Sequence, residues 1–323
     1  MRVQGSEAQR IKNAGSGAAL GCRLLSRTSS WALTGTPVEN SIEDLTSIFG
    51  FVKPSLLHVG MPRKIIHERI RGHFLRRRKV EVLGELPPII TQEIPLELDG
   101  QQREAYDAVW NNREQFISSA DRPISETHLL AIITKLKQIC NFDPASNESA
   151  KLDALQDLFD SLQEADDKVI VFSQYVETLR WLSQRLSVPH AIFHGGLMEA
   201  ERERVVDQFE SEPGPRAILI SLKAGGVGLN LNSASTVIMF DRWWNPAVEN
   251  QAIQRAHRFG RARPLQVIRF LVEDSVEGRI AELLTRKEGL FHEYVEEAKS
   301  WQPARFSRDE LRQILELAPQ QVD

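Results

Sequence analysis

The sequence from Lys151 onward predicts an α/β fold in which helices wind around both faces of a parallel sheet. Short apolar runs such as KVIVF at 168–172 alternate there with segments that repeat apolar residues at helical spacing. This alternation is typical of doubly wound sheets. The length of 323 residues allows two domains, at about 150 residues each.

The predicted elements of this half follow one another at regular spacing. They are helices at 151–163, 175–186, 199–210 and 247–258, and strands at 168–172, 190–193, 217–221, 236–240 and 265–271. Ligands bind at the carboxyl ends of strands in such sheets. Four candidate motifs directly follow predicted strands: Ser173-Gln174, His194–Gly196, Lys223–Asn230 and Asp241–Pro246. We therefore expect one edge of the sheet to carry the function.

The first 150 residues are less regular. TGTPVEN at 34–40 is expected to form a loop, because its glycine and proline break regular structure, and a helix is expected from Ile42. Residues 51–150 read as mostly helical. The LPP at 86–88 cannot lie inside a helix, and the ITQEIPLEL that follows alternates like an edge strand. The turn-forming residues at 141–149 indicate a linker.

Composition is that of an ordinary globular protein, with 41% apolar and 26% charged residues. Two cysteines, far apart in the chain, exclude a disulfide framework and suggest a reducing compartment. The sequence has no apolar run long enough to span a membrane, and the N-terminus lacks a signal-peptide core. These features predict a soluble intracellular protein with no membrane partner.

Charge is unevenly distributed. The net charge of −4 argues against a general nucleic-acid coat. Between positions 242 and 270, however, six arginines face a single acid, Glu249. Such a patch in an acidic chain indicates a specific phosphate site, with solvated surface charge as the alternative.

The segment QAIQRAHRFGR at 251–261 is the strongest candidate. On a continuous helix, Gln251, Arg255 and Arg258 stand at i, i+4 and i+7 and share one face. Two guanidiniums on one face could spread the charge of a γ-phosphate. A solvated basic helix, or a plain contact to a phosphate backbone, is the alternative.

Two further motifs are less specific. The glycines of KAGGVGLN at 223–230 would let the main chain approach a phosphate, but tight turns need glycine too. The chain contains no GxxxxGK[S/T] phosphate loop. Of the adjacent Trp243 and Trp244, at least one is expected to reach a partner or a base if they lie in a loop, whereas core packing is the alternative.

Taken in order, the motifs of the chain resemble those of the Swi/Snf family of DNA-dependent ATPases, within superfamily two of the helicases. The motifs are LTGTPVEN, FLRRRKVEVLGELPP, KQICNFDP, KLDAL, KVIVFSQY, FHGGLMEAER, ISLKAGGVGLNL, FDRWWNP and ENQAIQRAHRFGR. The resemblance covers about residues 6–280. It implies two RecA-like lobes that hold ATP and Mg²⁺ between them and bind double-stranded DNA.

The same resemblance assigns roles residue by residue. The catalytic set is Arg255 and Arg258 as arginine fingers, the preceding Gln251, and Glu7 as the water-orienting carboxylate. The loop that links nucleotide state to DNA comprises Gly226, Gly228 and Asn230. The motif that couples hydrolysis to lobe movement comprises Thr34, Gly35 and Thr36. The DNA-facing set is Ser173, Gln174, Lys223 and Trp244.

The departures from the family pattern are as informative. The phosphate loop that opens the first lobe is absent, and Ser6 stands where a metal-binding Asp is expected. The chain is thus expected to lack a metal site of its own. It reads as a translocase cut just before or within its second ATPase box, and a further chain or segment would carry the missing part of the first lobe.

The resemblance divides the chain into four parts. A remnant of the first RecA-like lobe spans 1–50, a helical protrusion and linker spans 51–150, the complete second lobe spans 151–280, and a helical extension spans 281–323. The leading hypothesis is the C-terminal motor lobe of an ATP-dependent DNA translocase, in a bacterial nucleoid or a nucleus. The alternatives are a non-catalytic DNA- or partner-binding module and an RNA-directed helicase.

Overall fold

The computed structural model describes residues 2–5, 8–11, 13–34, 42–75, 86–118, 125–162, 167–225, 229–258, 260–261, 263–294 and 306–317. The chain forms two compact units. The first comprises residues 1–84 and 300–305, and the second comprises residues 85–299 and 306–323.

The first unit contains a two-stranded parallel sheet and three helices. Strand β1 (Arg2–Gly5) pairs with β2 (Ser29–Ala32), and a short 3₁₀ turn (Ala8–Ile11) follows β1. The helices are α1 (Gly17–Leu24), α2 (Ile42–Val52) and α3 (Arg63–Ile70). The predicted helix from Ile42 is confirmed by α2.

Helix α2 is the centre of packing in this unit. Ile48 and Phe51 join one apolar cluster with the 3₁₀ turn and α1, while Leu45 and Phe49 join a second cluster with α3. The apolar residues of α2 recur at three- and four-residue spacing, so they form two adjoining stripes on the helix.

The second unit is built on a six-stranded sheet in which every pairing is parallel. Its strands are β3 (Ile89–Leu96), β4 (Lys168–Ser173), β5 (His190–Phe193), β6 (Ala217–Ser221), β7 (Ala234–Met239) and β8 (Leu265–Val272), and their spatial order is β3-β8-β7-β4-β6-β5. The chain places β5 and β6 on one side of β4 and then β7 and β8 on the other. This reversal at β4 is where ligand crevices form in open parallel sheets.

The helices of this unit that the structure describes are α4 (Gly100–Asn111), α5 (Arg113–Ser118), α6 (Glu126–Asn141), α7 (Ala150–Leu162), α8 (Val176–Ser183), α9 (Glu199–Glu210), α10 (Leu222–Gly225), α11 (Pro246–Ala256), α12 (Val276–Tyr294) and α13 (Arg308–Ile314). Helices α9, α10 and α11 pack on one face of the sheet, and α7 and α8 pack on the other. The predicted doubly wound parallel sheet is confirmed, and so is the strand nature of ITQEIPLEL, which forms the edge strand β3.

Alternate residues of β4 belong to different cores. Ile170 and Phe172 pack in the cluster that includes α9 and α11, whereas Val169 and Val171 pack in the cluster that includes α7 and α8. Because side chains alternate across a strand, the part of a strand that is buried on both faces must be apolar, as Val169–Phe172 is.

The connection at 141–149, where turn-forming residues indicated a linker, is a short hydrogen-bonded turn between α6 and α7 within the second unit. Asp143 accepts hydrogen bonds from the main chain and the hydroxyl of Ser146, and these bonds lower the pKa of Asp143 against the opposing effect of desolvation. Ser149 donates its hydroxyl to the carbonyl oxygen of Asn141.

Candidate functional site at the carboxyl edge of the sheet

The predicted motifs meet at one edge of the sheet. Because all six strands run parallel, the residues that follow β4, β5, β6 and β7 lie at the same edge. Ser173 is the last residue of β4, Lys223 lies on α10 directly after β6, and Asp241 comes two residues after the end of β7. The expectation that one edge gathers these motifs is confirmed.

Asp241 joins the ends of β4 and β7. Its side chain has no exposed surface, and one oxygen, Oδ2, accepts hydrogen bonds from the Ser173 hydroxyl and from Asn141 Nδ2 at 3.2 Å. The other oxygen, Oδ1, accepts the main-chain N–H of Gln174 at 3.0 Å. A buried carboxylate is tolerated because such donors replace its hydration.

The network continues inward from Asn141. Lys151 Nζ donates to Asn141 Oδ1 at 3.1 Å and to Glu277 Oε1 at 2.8 Å. The Lys151–Glu277 pair is fully buried. A buried ion pair is tolerated only if its charged groups also make further hydrogen bonds. Asn141 provides such a bond to Lys151. One polar chain therefore runs from α12 through α7 and α6 to the carboxyl edge.

Residues Arg242–Trp244, here called the tryptophan segment, follow Asp241 and are held by Glu249. The buried carboxylate of Glu249 accepts the main-chain N–H of Trp243 at 2.7 Å. It also lies 3.4 Å from Arg242 Nε and 3.5 Å from Arg269 Nε. The single acid among the six arginines is thus the anchor of the loop.

Both tryptophans lie in a loop and are half-buried. Lys223, which is exposed, places Nζ 5.9 Å from the centre of the Trp243 ring. Trp244 packs edge-to-face against Phe306, with 5.5 Å between the ring centres. Each ring therefore has a protein neighbour and keeps part of its surface open, and Trp243 also packs against the apolar cluster that includes α9 and α11.

The predicted DNA-facing residues differ in exposure. Lys223 is exposed, and Gln174 and Trp244 are half-buried. Ser173 is fully buried with its hydroxyl bound to Asp241, so in this structure its side chain orients the end of β4 and does not reach the surface. Asn230, in the loop after β6, is exposed.

Helix α11 ends earlier than the sequence predicts. Gln251 and Arg255 lie on α11, but the helix stops at Ala256, so the expectation that Arg258 continues its face is wrong. The carbonyl of Arg255 accepts the N–H of Leu231 at 3.3 Å, and the carbonyl of Ala256 accepts Arg261 Nη1 at 3.2 Å. In a longer helix these two carbonyls would accept the N–H groups four residues further on, at 259 and 260, so the two donors favour an end of the helix near this point.

Arg255 lies in the last turn of α11, and Arg258 follows two residues after the end of the helix. Arg255 is largely buried and Arg258 is half-buried. The hydrogen bond from Leu231 to Arg255 ties the helix end to the loop that contains Asn230. A main-chain hydrogen bond therefore connects the residue that follows the glycine-rich motif to the helix that carries the arginine motif.

Five of the predicted site residues lie outside the described residues: Glu7, Gly35, Thr36, Gly226 and Gly228. Thr34 is described and half-buried. Across the part of the chain that the structure describes, no group of three or more His, Cys, Asp or Glu side chains could hold a metal ion. In the same part, no helix is both long and apolar enough to cross a membrane.

Comparison with known proteins supplies the family. Residues 2–63 match the model of the SNF2-related domain, and residues 150–260 match that of the helicase conserved C-terminal domain. A Sulfolobus solfataricus SWI2/SNF2 ATPase core, solved in complex with dsDNA, aligns with a TM-score of 0.58 and 28% identity over 98% of this chain and 73% of that one. The chain belongs to the Swi/Snf family of helicase-like proteins.

Curated relatives agree with this membership. An uncharacterized ATP-dependent helicase of Mycoplasma pneumoniae is 33% identical over 304 residues, which are 88% of this chain and 29% of that protein. A mouse SWI/SNF-related matrix-associated actin-dependent regulator of chromatin, subfamily A member 1, is 30% identical over 312 residues, 85% of this chain and 30% of that protein. This Swi/Snf chain thus spans about 30% of the length of these relatives.

Sequence reasoning assigned no role to Lys137, Asn141, Asp241 or Glu249 in this Swi/Snf chain. One local signal was available. Asp241 directly follows the predicted strand at 236–240, which contains only apolar and β-branched residues, and Lys137 lies between buried positions of α6. A charged residue in such a setting must find a buried partner, although the sequence does not identify which one.

Proposed function

We propose that this chain provides the C-terminal motor lobe of a Swi/Snf-type ATP-dependent DNA translocase, which couples ATP hydrolysis to movement on duplex DNA and to remodelling of protein–DNA complexes. The observation that carries the proposal is the carboxyl edge of the sheet. There, Lys223, Gln174 and the tryptophan segment surround the ends of β4, β6 and β7, tied together by Asp241 and Glu249.

DNA would meet the exposed and half-buried members of this edge. Lys223 and Gln174 would contact the phosphate backbone, and Trp243 or Trp244 would pack against sugar or base. Ser173 would orient Gln174 through Asp241. The backbone character of these contacts fits a motor that moves along any sequence, because phosphate contacts carry no sequence information.

The arginines would act on ATP. When bound, ATP supplies the γ-phosphoryl group that is transferred to water. Arg255 and Arg258 would neutralise the charge that develops on this group, and Gln251 would lie beside them. Gly226, Gly228 and Asn230 would transmit the nucleotide state to the DNA edge, since the hydrogen bond of Leu231 to Arg255 links that loop to α11.

Mg²⁺ is usually bound through one or two protein carboxylates together with the phosphates of the nucleotide. The chain has Ser6 at the position where the family pattern has a metal-binding Asp, and it contains no GxxxxGK[S/T] phosphate loop. Glu7 would orient the water, and Thr34, Gly35 and Thr36 would couple hydrolysis to lobe movement. We infer that this chain hydrolyses ATP poorly by itself.

A further chain or segment that carries the rest of the first lobe would complete the motor. In the first unit, Leu20, Leu24, Trp31 and Leu33 expose between 50% and 86% of their surface. Parallel sheets are normally covered on both faces, and a two-stranded sheet is too small to be stable alone. Additional strands and helices packed on α1 and β2 would bury these side chains.

The test is DNA-stimulated ATP hydrolysis by the full chain, alone and mixed with a first-lobe fragment that contains a phosphate loop. We expect little hydrolysis alone, rescue by the fragment, and loss of the rescued rate by a factor of about 10³ or more in Arg258→Ala. Arg263→Ala is the matched control, because the Arg263 side chain is 78% exposed and pairs with Asp167 at 3.6 Å.

The competing function is a non-catalytic DNA- or partner-binding module. It predicts salt-sensitive binding to duplex DNA but no hydrolysis under any mixture. That outcome would reject the motor role. An equal loss of rate in Arg258→Ala and Arg263→Ala would reject the assignment of the arginine finger while leaving the motor role in place.

A further inference from the structure

Lys137 is a buried cation that none of the roles above uses. It lies on α6 with no exposed surface. Its Nζ donates a hydrogen bond of 2.6 Å to the main-chain carbonyl oxygen of Arg242, which is 105 residues away in sequence. The same Nζ lies 4.8 Å from the centre of the Trp244 ring. Lys137 therefore contacts both the main chain and an indole ring of the tryptophan segment.

Burial of the Lys137 ammonium group is unfavourable because the group loses its hydration. Desolvation lowers the pKa of Lys137, and the carboxylates of Asp241, Glu277 and Glu249 oppose that shift. A neutral side chain of similar length would fill the same space without desolvation of an ammonium group. Core packing alone would not require a lysine at this position.

Side chains make three hydrogen bonds to the main chain of the tryptophan segment, and the Arg242 side chain is held separately by Glu93 at 2.8 Å. The Arg242 carbonyl accepts Lys137 Nζ at 2.6 Å and Gln174 Nε2 at 3.3 Å, while the Trp243 N–H is bound by Glu249. Of these three groups, Lys137 makes the shortest contact. It is also the one whose charge lies against the Trp244 ring, an arrangement that strengthens when water is excluded.

We propose that Lys137 is a positioning residue that holds the tryptophan segment in the conformation that presents Trp243, Trp244 and Lys223 to duplex DNA. The part that concerns DNA rests on the proposed function. The hold on the segment does not, because it concerns contacts within this chain only.

Lys137→Met in the full chain tests the proposal. Methionine keeps the length and apolar stem but removes the charge and all three donors. We expect the amides of residues 241–245 to exchange with deuterium about tenfold faster. We also expect affinity for a fluorescent DNA duplex to fall about tenfold, with cooperative unfolding retained.

Lys168→Met is the matched control. Lys168 is also buried, and its Nζ donates to the carbonyl oxygens of Phe209 at 2.7 Å and Ser211 at 2.6 Å, with the Phe209 ring centre 5.6 Å away. It begins β4, so it lies at the opposite edge of the sheet. Its substitution should change neither exchange in the tryptophan segment nor DNA affinity.

The outcomes separate the two levels of the proposal. Exchange at the wild-type rate in residues 241–245 of Lys137→Met overturns it. Faster exchange with unchanged affinity overturns the part that concerns DNA. If the wild-type chain binds no duplex, the proposed function fails, and exchange alone decides whether Lys137 holds the segment.

A second variant covers the case in which Lys137→Met unfolds. Lys137→Gln keeps a hydrogen-bond donor but is neutral and shorter, so it should also speed exchange in residues 241–245, by a smaller factor. If the amides of residues 241–245 exchange at the wild-type rate in Lys137→Gln, the proposal is likewise overturned.

Discussion

Cys140 has an environment set by long-range packing. It lies on α6 with no exposed surface, and burial raises the pKa of its thiol to about 12, with the nearby Glu277 adding to the shift. Tyr106 is also buried, and the pKa of its hydroxyl is raised for the same reason. Both groups stay neutral in the folded chain at a pH where they would ionise in the unfolded chain.

The free energy of unfolding should therefore fall at alkaline pH. The Cys140 contribution is complete below the unfolded thiol's pKa of 9.0 and is lost as pH rises toward 12. Linkage gives a loss of about 1 kcal/mol between pH 9 and pH 10. Urea unfolding at these two pH values measures it. Cys140→Ala is the control, and a loss as large in that variant would assign the effect to other groups.

Single residues also decide where elements end. Local sequence allows α11 to continue through Arg258, since nothing before Gly260 breaks a helix. The helix ends at Ala256, and the carbonyls of Arg255 and Ala256, which would accept from residues 259 and 260 in a longer helix, accept from Leu231 and Arg261. Arg261 also donates to the carbonyl of Ala234. Competition for main-chain carbonyls from residues outside the helix is a tertiary effect, so helical periodicity could not reveal it.

Strand β3 shows how far apart in sequence two paired elements can lie. It pairs with β8 along its whole length, from Ile89 beside Leu265 to Leu96 beside Val272. Ile89 and Ile94 pack on the two cores of the sheet. The alternation in β3 predicted an edge strand correctly. Its partner could not be predicted, because pairing depends on the fold of the intervening residues.

A fragment of residues 85–323 should unfold cooperatively, whereas a fragment of residues 99–323, which lacks β3, should not. Without β3, the main-chain groups of β8 are exposed next to buried residues such as Val267 and Phe270, and an uncovered apolar edge aggregates. Urea unfolding and size-exclusion chromatography of both fragments provide the comparison. Equal stability of the two would show that β3 is dispensable to the sheet.

At the scale of the whole molecule, helix α13 joins distant parts of the second unit. Arg113 Nε donates to the Leu315 carbonyl at 2.6 Å, and Arg279 pairs with Glu316 at 2.7 Å. The Trp110 ring lies 4.2 Å from the guanidinium of Arg113 and also 4.2 Å from that of Arg279. Residues near positions 110, 280 and 315 thus form one cluster.

Removal of residues 307–323 should lower the free energy of unfolding by at least about 5 kcal/mol, since the side chains of Leu311, Ile314 and Leu315 would lose their burial. Glu316→Gln is the milder comparison. It breaks a largely exposed ion pair and should cost less than about 1 kcal/mol. Chemical denaturation measures both. If the two losses are similar, the apolar contacts of α13 contribute little.

The sequence by itself determined the class of fold, the order of its elements and the edge where its motifs meet. These follow from apolar periodicity and turn residues, which act over a few positions. Only the tertiary structure decided that β3 belongs to the sheet of β8, that α11 stops at Ala256, and that Lys137 and Asp241 hold the tryptophan segment and the strand ends. A buried polar group is satisfied by whichever distant element packs against it, and no local pattern encodes that choice.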